Sequence, residues 1–386
     1  MEKRKVCVVI TARPSYSRIR SALEAIRDHA GLELQLVVAA SALLDRYGST
    51  NQVIEKDGFT IHRRVYMIVE GENPVTSAKS TGLGLAEMAT VFDDLKPDVV
   101  VTIADRFETM ATAVCASYMN IPLVHIQGGE ITGSIDEKVR HAVTKLADLH
   151  FVSTERAGER VVRMGERPDR VFVTGCPSID LAKQAIARPQ MSVDTFFKKY
   201  GGVGDEFDVT KGYIVVLQHP VTTEFQQARQ HIEETLHAVS ASGFPTLWFW
   251  PNVDAGSDGT SQGIRVFREH HQLPNVHFFR NLPPDIFVQI IYHSQCLVGN
   301  SSAGIRECSY LGVPAVNIGS RQAGRDRGVN VIDVGYDRNE ILAAIQKQAS
   351  IGQVAEDLLY GSGDAGQRIA DVLADVTLTF EKKLTY

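Results

Sequence analysis

The chain has 386 residues, 44% of them hydrophobic and 22% charged, with a formal charge of −6 at pH 7. Such a length and balance describe a soluble globular protein of two domains. With no basic stripe or run of like charges, electrostatic capture of nucleic acid is not indicated. An acidic protein must also hold any anionic ligand by local donors.

The first element is "KVCVVIT", which follows a basic start and breaks at Arg13 and Pro14. It is too short for a signal peptide or membrane span and reads as a buried strand, so a cytoplasmic protein with no membrane contact is expected. The five cysteines are odd in number and scattered; they suit a reduced core, show no metal-ligand spacing and call for no cofactor. Cys176, in "TGCPSID", sits in a turn, yet without a nearby His it reads as a buried small residue before it reads as a nucleophile.

Strand-like runs then alternate with amphipathic stretches: "LELQLVVAA", "DVVVTIA", "PLVHIQ", "LHFVST" and "RVFVTG". This alternation predicts a parallel sheet covered by helices on both faces. Residues 180–210 are polar and Gly-rich and mark a junction. Beyond it the pattern restarts with "YIVVLQHP", "PTLWFWPN", "VHFFRN", "QCLVGNSS" and "VPAVNIG". The expected fold is therefore α/β, with two Rossmann-like domains facing a cleft: residues 1–185, residues 210–365, and a terminal segment 366–386. Ligands of such sheets bind beyond the carboxyl ends of the strands. A dinucleotide site is kept only as a remote alternative, because "STGLGLAEM" follows no strand and lacks a third glycine, while "GGVGDE" falls in the junction.

Each candidate motif follows a strand. After the first, Arg13 offers a planar fork suited to phosphate and Ser17 lies in the first turn of a helix; a surface Arg before a Pro-initiated helix is the alternative. Asp105, Arg106 and Glu108 end a very apolar strand, where charge rarely serves solubility alone. Next comes "HIQGGEITGSIDEKVRH", in which the Gly pair allows a tight turn and a helix is expected from near Ser134. Asp136 with Arg140 and Glu137 with His141 are spaced to pair, so a charged helix start explains those acids but not Gln127 or Glu130.

In the second half, His219 ends a strand before Pro220, placed to donate to a phosphate or simply to pack. Asn252 and Asp254 end the next strand. "QCLVGNSSAGIRE" runs from a strand into Gly299, Asn300, Ser301 and Ser302, small residues and hydroxyls suited to a diphosphate or, equally, to a capped helix entry. Glu307, about one turn into the expected helix, tips the balance toward a nucleoside diphosphate whose ribose hydroxyls it would accept.

Taken together, "TARPSYS", "ADRFE", "HIQGGEITGSIDEKVRHAVTKLAD", "GCPSID", "QHPVTT", "PNVDAG", "GNSSAGIRE" and "NIGSRQAGR" resemble, in order and over nearly the whole chain, the UDP-N-acetylglucosamine 2-epimerases. The hydrolysing branch, including the epimerase part of the bifunctional enzyme that begins animal sialic acid synthesis, fits best. The resemblance implies a glycosyltransferase-B-like pair of domains, a C-terminal helix crossing back to the first domain, a UDP-sugar partner and a homodimer or homotetramer. It further implies anti elimination of UDP to a 2-acetamidoglycal, then hydration with inversion at C2.

By motif, Asp105 and Asp136 resemble the acid/base carboxylates, joined by Glu130, while His219 and Arg13 resemble leaving-group stabilisers. Gly299, Ser301, Ser302, Glu307 and Arg321 resemble nucleotide contacts, with Ser17, Arg106 and Asn252 also expected at the ligand, and "FRNLPPD" is expected to offer backbone to uracil. Two positions depart from the family: Ile103-Ala104 replaces a His-Gly, and Gln127 replaces a Glu counted as catalytic. Gln127 cannot exchange a proton near neutral pH. Either Asp105, Glu130 and Asp136 suffice and Gln127 orients the sugar or water, or the substrate is a 2,4-diacetamido-2,4,6-trideoxyhexose, or the protein only binds UDP-sugars.

Overall fold

The computed structural model describes residues 2–45, 49–71, 73–131, 135–187, 193–251, 257–280, 282–383 and 385, without the side chains of 74, 135, 136, 193–195, 222 and 257. The chain divides into two compact units, one of residues 1–130, 135–180 and 361–386, the other of 131–134 and 181–360.

The first unit is built on seven strands: β1 (Arg4–Ile10), β2 (Leu32–Ala39), β3 (Arg63–Val65), β4 (Val99–Ile103), β5 (Leu123–Ile126), β6 (Leu149–Val152) and β7 (Val171–Val173). Their order is β3-β2-β1-β4-β5-β6-β7, parallel throughout. Strands β1, β4 and β5 are apolar on both faces and almost wholly buried, as a sheet covered on both sides requires. The helices are α1 (Arg13–Asp28), α2 (Thr50–Lys56), α3 (Pro74–Leu95), α4 (Phe107–Tyr118), α5 (Ile135–Leu146), α6 (Glu155–Arg163) and α7 (Pro177–Ile186), whose first residues end this unit. One apolar cluster joins β1, α1 and the C-terminal residues Ile369, Ala370 and Leu373; a second, on the other side, joins Val9, Phe92 and Ala113. The run "STGLGLAEM" lies inside α3, which removes the remaining glycine candidate for a dinucleotide turn.

In the second unit, α8 (Val193–Tyr200) precedes β8 (Val203–Gly204) and β9 (Ile214–Leu217). The chain continues through α9 (Ala228–Ser242), β10 (Thr246–Phe249), α10 (Ser257–His270), β11 (Val276–Phe279), α11 (Pro284–Tyr292) and β12 (Cys296–Gly299). It then runs through α12 (Glu307–Leu311), β13 (Ala315–Ile318), β14 (Val331–Val334) and α13 (Arg338–Ser350) before α14 (Ala365–Asp375) returns to the first unit. The sheet order is β14-β13-β12-β9-β10-β11-β8. Part of the expected junction is thus an edge strand, since β8 pairs antiparallel with β11.

Setting β8 and the extra edge strand β7 aside, both sheets follow one plan. The strand order reverses beside β1 and β4 in the first and beside β9 and β12 in the second. Such switch points open a crevice at the strands' carboxyl ends. The residues after β1, β4, β9 and β12 are those of the motifs.

Candidate functional site

At the first switch point β1 runs through Thr11 and Ala12 straight into α1. Ala12 is extended and supplies no side-chain cap, and Pro14 starts the helix, so the first-turn N–H groups are not satisfied by a cap side chain. Arg13 opens this turn half-buried, its pKa drawn below the ordinary value by desolvation. An arginine remains cationic after such a shift. Ser17 lies half-buried one turn on.

The end of β4 is strained. Ala104 has φ +65°, a left-handed conformation that costs a residue with a Cβ on the order of 1 kcal/mol. Its carbonyl takes a 2.9 Å hydrogen bond from His125 Nε2, while His125 Nδ1 lies 3.0 Å from Thr144 Oγ1 on α5. A carbonyl can only accept, so Nε2 carries the proton and Nδ1 accepts from the threonine. Burial pushes the His125 pKa down to about 4, leaving the ring neutral. Just past Ala104, Asp105 forms an ion pair with Arg140 of α5; the aspartate side chain is 14% exposed and the arginine only 2%. Arg106 is held by Glu108, 3.2 Å from its Nε, and Glu108 itself is buried.

The neighbouring strand β5 ends in a second left-handed residue, Gln127, with φ +67°. Its side chain is buried, donating from Nε2 to Cys176 Sγ at 3.1 Å, while Oε1 has no hydrogen-bond partner. Cys176, buried as expected, is therefore the floor under Gln127. Gly129 has φ +74° and passes so close to α6 that a Cβ would stand 2.2 Å from the Ala157 carbonyl oxygen. Glu130 turns inward, with Oε1 accepting from Ser153 Oγ at 3.1 Å, and its backbone carbonyl accepts from Arg140 Nη1 at 2.9 Å.

Helix α5 begins at Ile135, close to the expected start. Asp136 belongs to its first turn, but its side chain lies outside the described residues, so the expected Asp136–Arg140 pair is not among them. The expected Glu137–His141 pair is present at 3.3 Å. His125 and Arg140, neither given a role in the site by the sequence, thus bolt two loops to α5. The signal for both was a His and an Arg inside the charge-rich motif "HIQGGEITGSIDEKVRH".

In the second unit, Gly299 ends β12 with φ +131°, and a Cβ there would stand 2.2 Å from the Leu217 carbonyl oxygen on β9. The next residue, Asn300, clamps His219: its Oδ1 accepts from His219 N at 2.7 Å, and its Nδ2 donates to His219 O at 2.8 Å. The Asn300 carbonyl in turn accepts from Arg321 Nη1 at 3.2 Å and Gln322 Nε2 at 2.8 Å. One asparagine therefore gathers His219, Arg321 and the serine loop. Ser301 caps a 3₁₀ turn through Ala303 N, and Ser302 starts that turn.

The helix beyond is shorter than expected. α12 has five residues and begins at Glu307, so Glu307 follows a 3₁₀ turn instead of lying one turn into a regular helix. The buried Oε2 of Glu307 has no hydrogen-bond partner. Asn252 and Asp254 lie outside the described residues, as does Asn281 of the "FRNLPPD" loop. Among the described residues no group of three or more His, Cys, Asp or Glu could hold a metal, and no helix is long and apolar enough to cross a membrane.

The first unit thus offers a carboxylate ion-paired at the end of β4, and the second unit a donor-rich loop with a histidine. Comparison with known proteins gives this pattern a context. The sequence profile of the family described as UDP-N-acetylglucosamine 2-epimerase matches residues 24–374. A Legionella pneumophila protein named UDP-N,N'-diacetylbacillosamine 2-epimerase (hydrolyzing) is 31% identical over 375 residues, which cover 97% of this chain and 97% of its own. A UDP-N-acetylglucosamine 2-epimerase of Neisseria meningitidis is 29% identical over 379 residues, covering 96% and 95%. Among solved structures, the Methanocaldococcus jannaschii UDP-GlcNAc 2-epimerase in complex with UDP-GlcNAc and UDP superposes with a TM-score of 0.78 at 18% identity, covering 96% of this chain and 99% of its own. At that identity the likeness shows the fold, two parallel-sheet α/β units of the glycosyltransferase-B kind.

Proposed function

The chain belongs to the UDP-N-acetylglucosamine 2-epimerase family, and from that premise we propose that it converts UDP-N-acetylglucosamine and water to N-acetylmannosamine and UDP. The observation that carries this reading is the Asp105 carboxylate, partly exposed at the switch-point end of β4 and ion-paired to a buried arginine. The chemistry needs a carboxylate that is charged at neutral pH and stands beside a sugar ring.

C2–H of the sugar is not acidic by itself, so departure of UDP from C1 runs ahead and builds positive charge on the ring. Asp105 stabilises that charge and receives the C2 proton; the C2–H electron pair becomes the C1=C2 bond while the C1–O pair leaves with the β-phosphate. His219, Arg13 and the N–H and hydroxyl donors of residues 299–302 stabilise the departing diphosphate, with Arg321 beside them. Glu307, with an unpartnered buried oxygen, accepts the ribose hydroxyls. Asp136 then supplies the proton that adds back to C2 from the opposite face as water adds to C1. Gln127 holds shape without moving a proton, since its amide is anchored on Cys176.

A second reading has its own support. Two relatives at about the same distance, from Legionella pneumophila and Campylobacter jejuni, are named hydrolysing epimerases of diacetylbacillosamine nucleotides, at 31% and 30% identity. On that reading the same steps act on UDP-2,4-diacetamido-2,4,6-trideoxyglucose. Both substrates are to be incubated with the protein in deuterated water, with UDP release measured alongside sugar NMR. Free mannosamine-type sugar carrying deuterium at C2 from UDP-N-acetylglucosamine is the expected result. Turnover of only the diacetamido substrate selects the second reading. UDP-N-acetylmannosamine as the accumulated product moves the chain to non-hydrolysing epimerisation, and binding without turnover of either sugar leaves a UDP-sugar binder.

A further inference from the structure

We propose that Arg140 is the positioning residue of the first chemical step: it orients the Asp105 carboxylate and ties it to the loop after β5. This rests on the reading of Asp105 as the group that takes the C2 proton. Arg140 is 2% exposed, and its guanidinium does two things with two nitrogens. Nη2 faces Asp105 Oδ2, and Nη1 donates to the Glu130 carbonyl at 2.9 Å. The planar fork is what lets one cation bridge a carboxylate on one loop and a backbone carbonyl on another. Two loops and α5, which also carries Asp136, are thereby fixed to one another.

A second bolt runs alongside. Neutral His125 links the Ala104 carbonyl, one residue before Asp105, to Thr144, one turn beyond Arg140 on the same helix. His125 contributes no charge, whereas Arg140 sets a cation against the aspartate. In an elimination where UDP departs first, the C2 proton is already acidic. A correctly aimed carboxylate then serves without having to be a strong base, and aim is what the Arg140 fork supplies.

The test uses the full-length protein with UDP-N-acetylglucosamine, or with whichever UDP-sugar it turns over, in ordinary and C2-deuterated form. Arg140→Gln removes the charge while keeping a donor for the Glu130 carbonyl, and Arg140→Lys keeps the charge. The Gln variant is expected to lose about 100-fold or more in kcat with KM and UDP affinity within about threefold, and to show a larger deuterium isotope effect on kcat than the wild type. Lys is expected to recover at least tenfold of that loss. An unchanged kcat, an unchanged isotope effect, or a parallel collapse of UDP binding and turnover in both variants would overturn the proposal. If the wild-type protein turns over no UDP-sugar at all, the functional reading fails and this proposal with it; wild-type turnover with a fully active Gln variant sinks the proposal alone.

Discussion

The two units share a strand plan and differ in how they hold the loops at its open end. In the first, the loops after β4 and β5 leave through left-handed Ala104 and Gln127 and are pinned by a buried ion pair, Arg140 with Asp105. In the second, the loops after β12 and β9, the first of which leaves through Gly299, are pinned by a neutral amide, Asn300, gripping the His219 backbone on both sides. On the proposed reading the first unit's task is proton transfer, which calls for an oriented carboxylate, and a buried arginine holds Asp105 in place. A diphosphate calls for donors with no competing anion, and an amide clamp organises them without adding charge. On that reading, one scaffold accommodates two electrostatic tasks by changing the fastener.

The largest expected effect tests the charged side. Asp105→Asn and Asp136→Asn should each lower turnover by about 10³-fold while UDP affinity stays within about twofold, in line with loss of an acid/base group that does not touch the nucleotide. Undiminished kcat in Asp136→Asn would return that residue to a helix-start role, and calorimetric UDP titration separates the two.

Next comes pH. Folded His125 stays neutral down to about pH 4, while in the unfolded chain it gains a proton below its ordinary value of 6.5. The unfolded state therefore binds more protons in that window, and stability is full above 6.5 and falls toward pH 4, by on the order of 3 kcal/mol at most. Denaturant titrations from pH 7 to 4.5 should show this slope in the wild type and a shallower one in His125→Gln.

On the neutral side, Glu307→Ala should weaken UDP by about tenfold, the worth of hydrogen bonds to a charged acceptor. The loss should shrink when 2′-deoxy-UDP is titrated; equal losses for the two nucleotides would remove Glu307 from the ribose. The smallest effect sharpens the contrast in backbone strain. Ala104→Gly should raise stability by up to about 1 kcal/mol, because glycine adopts φ +65° without a Cβ clash, partly offset by its looser unfolded chain. A lower melting temperature would show that the Ala104 methyl, buried in the core, is worth more than the strain it causes.

Much of the architecture was legible because it rests on local periodicity. Runs such as "DVVVTIA" and "QCLVGNSS" are apolar on both faces and can only be central strands, and turn residues follow them directly. Three of the edge strands were not legible, unlike β7, which shows in the run "RVFVTG". β3 is three residues with two exposed, β14 has no buried residue, and β8 is two exposed residues in a Gly-rich stretch. Edge strands need no apolar face, so their pattern resembles a loop. At the site, Asp105, Glu130, His219 and the Gly299–Ser302 loop stood out as polar residues abutting buried strands. Arg140 pairs with Asp105 on another loop, a partner that local spacing did not point to, while the side chain of its expected i,i+4 partner Asp136 lies outside the described residues.

What the sequence determined by itself was the alternation of strands and helices in two units, the motif after each strand, and the family to which the chain belongs. These depend on neighbours along the chain or on ordered motifs. Only the tertiary structure decided that His125 is neutral, that the Gln127 amide rests on Cys176, 49 residues away, and that one asparagine holds His219. Those outcomes depend on strand order, because the sheet brings β4 beside β5 and β9 beside β12, and burial then sets which charges survive and which side chains must find a partner.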